Sequence, residues 1–140
     1  MATNRYPIRV DRRFRLILRL FGVRDGNAWV DLPDEPGGEL DARFGRFRVH
    51  TPIANVAHWR LEGPWSALTA IGVRMSIRHR DLTFAGTNRG GVRIDFRERV
   101  PYGPFGLPAL YVTVEDLEGL GAALSARGIT GEDGRTRIVP

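Results

Sequence analysis

The chain contains no cysteine, no lysine and no glutamine. Without cysteine there is no thiol catalysis, no disulfide and no thiolate metal site. Without lysine there is no Schiff-base enzyme, no phosphate-loop NTPase and no protein kinase. The tripeptide His79-Arg80-Asp81 reads like a kinase catalytic loop, but no glycine-rich nucleotide loop or strand lysine accompanies it, so it is coincidence. No apolar run approaches the roughly 18 residues of a membrane-spanning helix. The opening Met1–Tyr6 has no secretory pattern, and Phe14–Val23 is broken by Arg15 and Arg19. With no glycosylation sequon either, the expected location is cytoplasmic.

What is present fits one soluble domain: 140 residues, 42% hydrophobic and 26% charged. All 21 basic residues are arginine, set against 16 acids for a net charge of +5. A basic protein attracts anionic partners, but the charge comes in blocks. Residues 1–25 carry seven Arg and two acids, whereas residues 26–45 carry one Arg and five acids. The sign is positive again over 46–100 and negative over 101–140. This is not a simple cationic stripe, and GC-rich coding bias accounts for arginine without lysine.

Alternation dominates the middle of the chain. Phe47 and Val49 alternate with Arg46, Arg48 and His50. Val73, Met75 and Ile77 alternate with Arg74, Ser76 and Arg78, and Val92, Ile94 and Phe96 with Arg93, Asp95 and Arg97. Period two marks a strand with one face buried and one wet, so the apolar members are expected inward and the arginines outward. Leu110–Val114 continues the pattern, with Tyr111 and Thr113 outward. Ile53–Leu61, Phe14–Leu20, Ala28–Leu32 and Glu39–Phe44 are further strand candidates, and Trp65–Ile71 a short helical turn. Pro101–Pro108, with three prolines and two glycines, is expected to be irregular. The spacing predicts a small antiparallel barrel or sandwich of about seven strands. One helix is predicted over 116–127. Asp116 is its cap, Leu117, Leu120 and Leu124 form one face, and Gly128 is its stop. Residues 1–128 form the expected domain, and 129–140 a flexible tail.

One helix after a run of strands resembles the pleckstrin-homology-like barrel, whose C-terminal helix plugs one end. Two stretches carry the resemblance: Gly45-Arg-Phe-Arg-Val-His-Thr-Pro-Ile-Ala-Asn-Val56 and Tyr111-Val-Thr-Val-Glu-Asp-Leu-Glu-Gly-Leu-Gly-Ala-Ala-Leu124. Residues 5–128 also resemble a family of Arg-rich actinobacterial proteins with no assigned activity. That match is carried by Ala70–Arg74, Leu82–Asn88 and Gly91–Phe96. The resemblance implies a fold and no catalytic residues, and the basic-loop signature of phosphoinositide-binding members is missing.

Among chemical motifs, His50, His58 and His79 match no metal-site spacing, so no metal or cofactor is expected. Ser66, Ser76 and Ser125 lack a nucleophile elbow. Most of the aromatics near segment ends are expected in the core or at its rim, while Trp59 and Trp65 could line a barrel end. The best candidate is the wet strand face of Arg46, Arg48, Arg74, Arg78, Arg93 and Arg97, whose guanidinium forks suit phosphate or carboxylate. The competing reading is a solvated face neutralised by Asp95, Glu98, Glu62 and the acidic segment Asp31–Asp41. Nucleic acid is disfavoured, since the interleaved aromatics alternate inward.

The functional expectation is a non-enzymatic binding or scaffolding module for a protein or anionic partner, with homo-oligomers left open. One alternative is a reader of anionic membrane surfaces through Arg9, Arg12, Arg13 and Arg15. The other is a small-molecule enzyme with a barrel-mouth site around Asp95, His50 and an arginine.

Overall fold

A computed structural model describes residues 3–24, 26–63, 72–75, 82–87 and 90–134. The fold is mainly β, in two sheets. The first is an antiparallel meander in the order β1-β2-β3-β4: β1 (Thr3–Pro7), β2 (Ala28–Pro33), β3 (Glu39–Phe44) and β4 (Phe47–Pro52). The second runs β10-β5-β8-β9-β7-β6. Its strands are β5 (Val56–Glu62), β6 (Gly72–Met75), β7 (Leu82–Ala85), β8 (Gly91–Tyr102), β9 (Phe105–Val112) and β10 (Gly131–Asp133). A short helix, α1 (Arg15–Arg19), follows a 3-10 turn at Arg12–Phe14, and α2 (Leu117–Ala126) follows β9.

The core lies between the sheets. Val30, Leu32, Leu40, Ala42, Phe44 and Val49 come from the first; Leu82, Phe84, Val92, Ile94, Leu110 and Val112 come from the second. Phe44 and Phe84 stack across the gap, ring centroids 5.6 Å apart. Helix α2 adds fully buried Leu120 and Leu124 beside β5 and β8. Asp116 caps it by accepting the Gly119 N–H at 2.9 Å, and Gly128 ends it at φ +81°. The predicted helix is therefore present, one residue shorter at each end.

The alternating strands face as expected where they are described. Val49, Val92, Ile94 and Phe96 are buried, Phe47 and Val73 are half-buried, and Arg46, Arg48 and Arg97 are exposed. Arg93, expected outward, is half-buried; Ile77, Arg78 and the side chains of Arg74 and Met75 lie outside what is described, as does the helical turn expected at Trp65–Ile71.

Five expectations are corrected. First, among the described residues the sheets do not close into a barrel, and the second sheet is not wholly antiparallel. β7 runs parallel to β9, and β10 parallel to β5. Alternation tells which face a residue takes, not which strand lies beside it. Second, Phe14–Leu20 is helical. Phe14, Leu18 and Phe21 fall at i, i+4 and i+7 and turn inward, and the tertiary face decides between the two periods. Third, Pro101–Pro108 is a hairpin. Pro101 opposes Gly106, and Pro108 stands where β8 bulges between Asp95 and Val100, so its missing N–H breaks no ladder bond. Fourth, Tyr111 and Thr113 are buried, not wet: the Tyr111 ring lies against Gly91 of β8, and Thr113, just past β9, accepts the Gly86 N–H.

The fifth correction concerns residues 129–134 of the expected tail; residues 135–140 lie outside the described residues. Ile129 is buried and β10 lies along β5, with the Trp59 indole N–H donating to the Ile129 carbonyl at 3.1 Å. A Cβ at Gly131 would fall inside the Trp59 ring. Gly131→Ala is therefore expected to release β10. Amide exchange would show loss of protection at Trp59 and Gly134, whose N–H groups donate to Thr130 and Leu61, with β8 and β9 unchanged. Retained protection would place β10 away from the indole.

Candidate functional site

The six arginines of the sequence-derived face do not come together. Arg46 and Arg48 belong to the first sheet, Arg74, Arg93 and Arg97 to the second, and Arg78 lies outside the described residues. Arg74 on β6 and Arg93 on β8 share a register row, but β7 and β9 stand between them through Thr83 and Tyr111. That is three strand spacings, roughly 14 Å. The expected meander from Val73 to Phe96 fails because the β8–β9 hairpin inserts β9 between β8 and β7.

Acids answer two of these arginines, Arg48 and Arg93. Arg48 forks onto Asp41 through Nε at 2.9 Å and Nη2 at 2.6 Å. Arg5 forks onto Asp31 at 2.8 Å through both nitrogens and lies 4.1 Å over the Trp29 ring. Each carboxylate hydrogen bond raises its guanidinium above the usual arginine value, keeping it charged at any working pH. On the second sheet Arg60 directly opposes Arg93, and Asp95 takes Arg93 at 3.0 Å. Arg60 lies within 4 Å of Glu62 and Glu132. Arg97 donates to the Ala54 carbonyl at 3.2 Å. The acidic segment Asp31–Asp41 and Asp95 thus supply the neutralisation weighed from sequence, while Glu98 instead exchanges backbone hydrogen bonds with the Asn55 amide.

The barrel-mouth grouping of Asp95 with His50 does not form. His50 sits 3.4 Å from Glu39 on the first sheet, and the histidine beside Asp95, at 3.6 Å, is His58.

A different cluster does assemble, in the connection between β1 and β2. From Arg12 to Arg24 the chain holds five arginines and no carboxylate. Phe14 and Leu18 anchor this segment inward. The opposite side presents Leu16, Ile17 and Leu20 at 79, 53 and 77% exposure. Leu16 and Leu20 are one turn apart, as are Arg15 and Arg19, so an apolar row and a cationic row run side by side. A cleft of about 510 Å³ beside them is lined by Val10, Arg15, Leu18, Arg19, Val23 and Arg24.

The fold holds this connection firmly. Its start is tied to the second sheet: Asp11 N–H donates to Gly86, and its carboxylate accepts from Thr87 Oγ1 at 2.7 Å. Its end is tied by Asn27, which donates to the Gly22 carbonyl and accepts from the Arg24 N–H. The β3–β4 turn closes the other side. Gly45, at φ +64°, comes so near Phe21 and Gly22 that a Cβ would meet the Phe21 carbonyl oxygen at 2.5 Å. That approach lays Arg46 against Gly22, so one arginine of the sequence-derived face joins this cluster. Of the N-terminal set, Arg9 and Arg13 lie 3.3 and 3.9 Å from the Asp11 carboxylate, and Arg12, Arg13 and Arg15 are exposed on the connection.

The charge of this region was readable from composition, but its exposed apolar row was not. Leu16, Ile17, Leu18 and Leu20 are equally apolar on paper, and only packing shows that Leu18 alone turns in. No helix among the described residues is long and apolar enough to cross a membrane. No family model, curated protein or solved structure matches the chain.

Proposed function

We propose that this chain is a non-enzymatic cytoplasmic binding module that engages an anionic partner through the arginine cluster of the β1–β2 connection. The observation that carries the reading is the cleft lined by Arg15, Arg19 and Arg24 beside an outward apolar row. Arginine forks at such spacing suit phosphate or carboxylate groups. The arginines of the sheet faces offer no such concentration, since they are spread over two sheets and lie apart. We also keep the pleckstrin-homology-like assignment as a proposal. The antiparallel four-stranded first sheet and the C-terminal helix against β5 and β8 support it, and the parallel β7–β9 pair departs from it.

The test uses inorganic polyphosphate as a soluble polyanion, titrated by calorimetry at low and raised salt. The wild type is expected to bind, more weakly as salt rises. Arg15→Ser/Arg19→Ser/Arg24→Ser should lose about tenfold or more, at roughly 1 kcal/mol or less per exposed charge pair. Arg48→Ser/Arg93→Ser should bind as the wild type does. Equal affinity across all three proteins would remove the cluster from its role.

A further inference from the structure

We infer that the anionic partner is a lipid bilayer, and that Leu16, Ile17 and Leu20 enter it while the surrounding arginines hold the phosphate plane. The inference rests on the proposed arginine site and names what that site meets.

Three observations carry it. The apolar row protrudes: Leu16 and Leu20 keep more than three quarters of their surface in water, at 79 and 77%. Large aliphatic side chains in that state are expensive to leave wet, and a contiguous group of them marks a contact surface. The row also stands on the side of α1 opposite the anchored Phe14 and Leu18. A protruding row suits a medium that deforms around it, whereas a folded protein partner would need a matching groove. Finally, positive charge predominates beside the row. Arg15 and Arg19 stand one turn apart next to Leu16 and Leu20, and from Arg12 to Arg24 the chain carries five arginines and no acid, with Asp11 just before them 3.9 Å from Arg13. Long arginine stems can lie along the apolar boundary while their heads reach lipid phosphates.

Neither half suffices alone. Three aliphatic side chains on one short helix give only a shallow hold, and exposed arginines on a membrane surface contribute about fivefold each in affinity. Together they form a two-signal contact, which requires both anionic lipid and the apolar row. The contact has a firm platform: Asp11 ties the start of the connection to Gly86 and Thr87, and the Gly45 N–H donates to the Asn27 carbonyl at its end.

The experiment is cosedimentation with mixed phosphatidylcholine/phosphatidylglycerol vesicles and with pure phosphatidylcholine vesicles. The wild type is expected to pellet with the mixed vesicles only, and less at raised salt. Leu16→Ser/Leu20→Ser, which alters only exposed side chains, should lose about tenfold or more. Its polyphosphate affinity should be unchanged, so folding and the arginine site are checked in the same protein. Because the chain has no cysteine, Leu16→Cys gives a unique attachment point for an environment-sensitive fluorophore. Its emission should shift to the blue on mixed vesicles. Polyphosphate binding without vesicle binding would overturn the inference, leave the arginine site standing and point to an acidic protein partner. Vesicle binding that ignores Leu16→Ser/Leu20→Ser, with a fluorophore that stays in water, would also overturn it. Loss of both polyphosphate and vesicle binding would remove the underlying site as well.

Discussion

Phe44→Ala is expected to destabilise the fold by about 3–5 kcal/mol, the range for emptying a buried phenylalanine site. The ring is fully buried on the inner face of β3, beside Leu40 and Ala42. It stacks on Phe84 of β7 at 5.6 Å between centroids with 14° between planes. The pair joins the two sheets, so neither ring has a second route to the same burial. Phe84→Ala should therefore cost a similar amount. The double variant should cost less than the sum, by a coupling of about 0.5–1.5 kcal/mol. A domain of this size has roughly 5–15 kcal/mol in total, so Phe44→Leu provides a folded variant for the same cycle. Urea unfolding with an unchanged slope is the measurement. Single effects below about 1 kcal/mol with no coupling would mean that the sheets do not meet face to face at this point.

The same stacking shows what could and could not be read beforehand. The facing of Val49, Val92, Ile94 and Phe96 follows from period two, because one wet face forces the alternation. The partner of each strand does not follow. Phe84 belongs to a four-residue strand whose parallel pairing with β9 joins residues 28 apart in sequence, as in Leu82 with Leu110. Nothing local in Leu82–Ala85 signals that contact. Tyr111 on β9 and Thr113 just past it are buried as well, so they defeat the alternation rule. Thr113 keeps its hydroxyl satisfied by accepting the Gly86 N–H at 3.0 Å.

For the site, local charge was legible and assembly was not. The run of arginines before residue 25 is visible in any sum over the sequence. So is the acidic segment that follows it, and Asp31 and Asp41 do take Arg5 and Arg48. Which arginines are left for a partner depends on register: Arg48 stands opposite Arg43 and reaches Asp41 only diagonally. The helical reading of Phe14–Leu20 was the other missing step. Seven residues of mixed leucine and arginine satisfy both periods, and the anchoring of Phe14 and Leu18 in the core selects the helix. Once the segment is helical, Leu16 and Leu20 share a side, and the apolar row exists.

Helix α2 was the element most legible in advance, and its dependence on packing makes Leu120→Ala the second large effect, about 2–5 kcal/mol. The helix has ten residues, fewer than an isolated helix needs in water. Gly119 and Gly121 lower its intrinsic stability by roughly 1 kcal/mol each relative to alanine. The Asp116 cap returns only about 1 kcal/mol. The helix therefore persists because Leu120 and Leu124 are fully buried against the strands, with half-buried Leu117 at the edge. Leu117→Ala should consequently cost clearly less than Leu120→Ala, and that ordering separates docking from helix propensity, which would treat the two leucines alike. Hydrogen exchange adds a second reading. In Leu120→Ala the amides of α2 should lose protection before those of β8 and β9, since the helix packs on β5 and β8 while the strands keep their ladder. A Leu120→Ala effect below about 1 kcal/mol, or equal effects at 117 and 120, would make α2 a peripheral appendage and remove one of the two features that support a pleckstrin-homology-like arrangement.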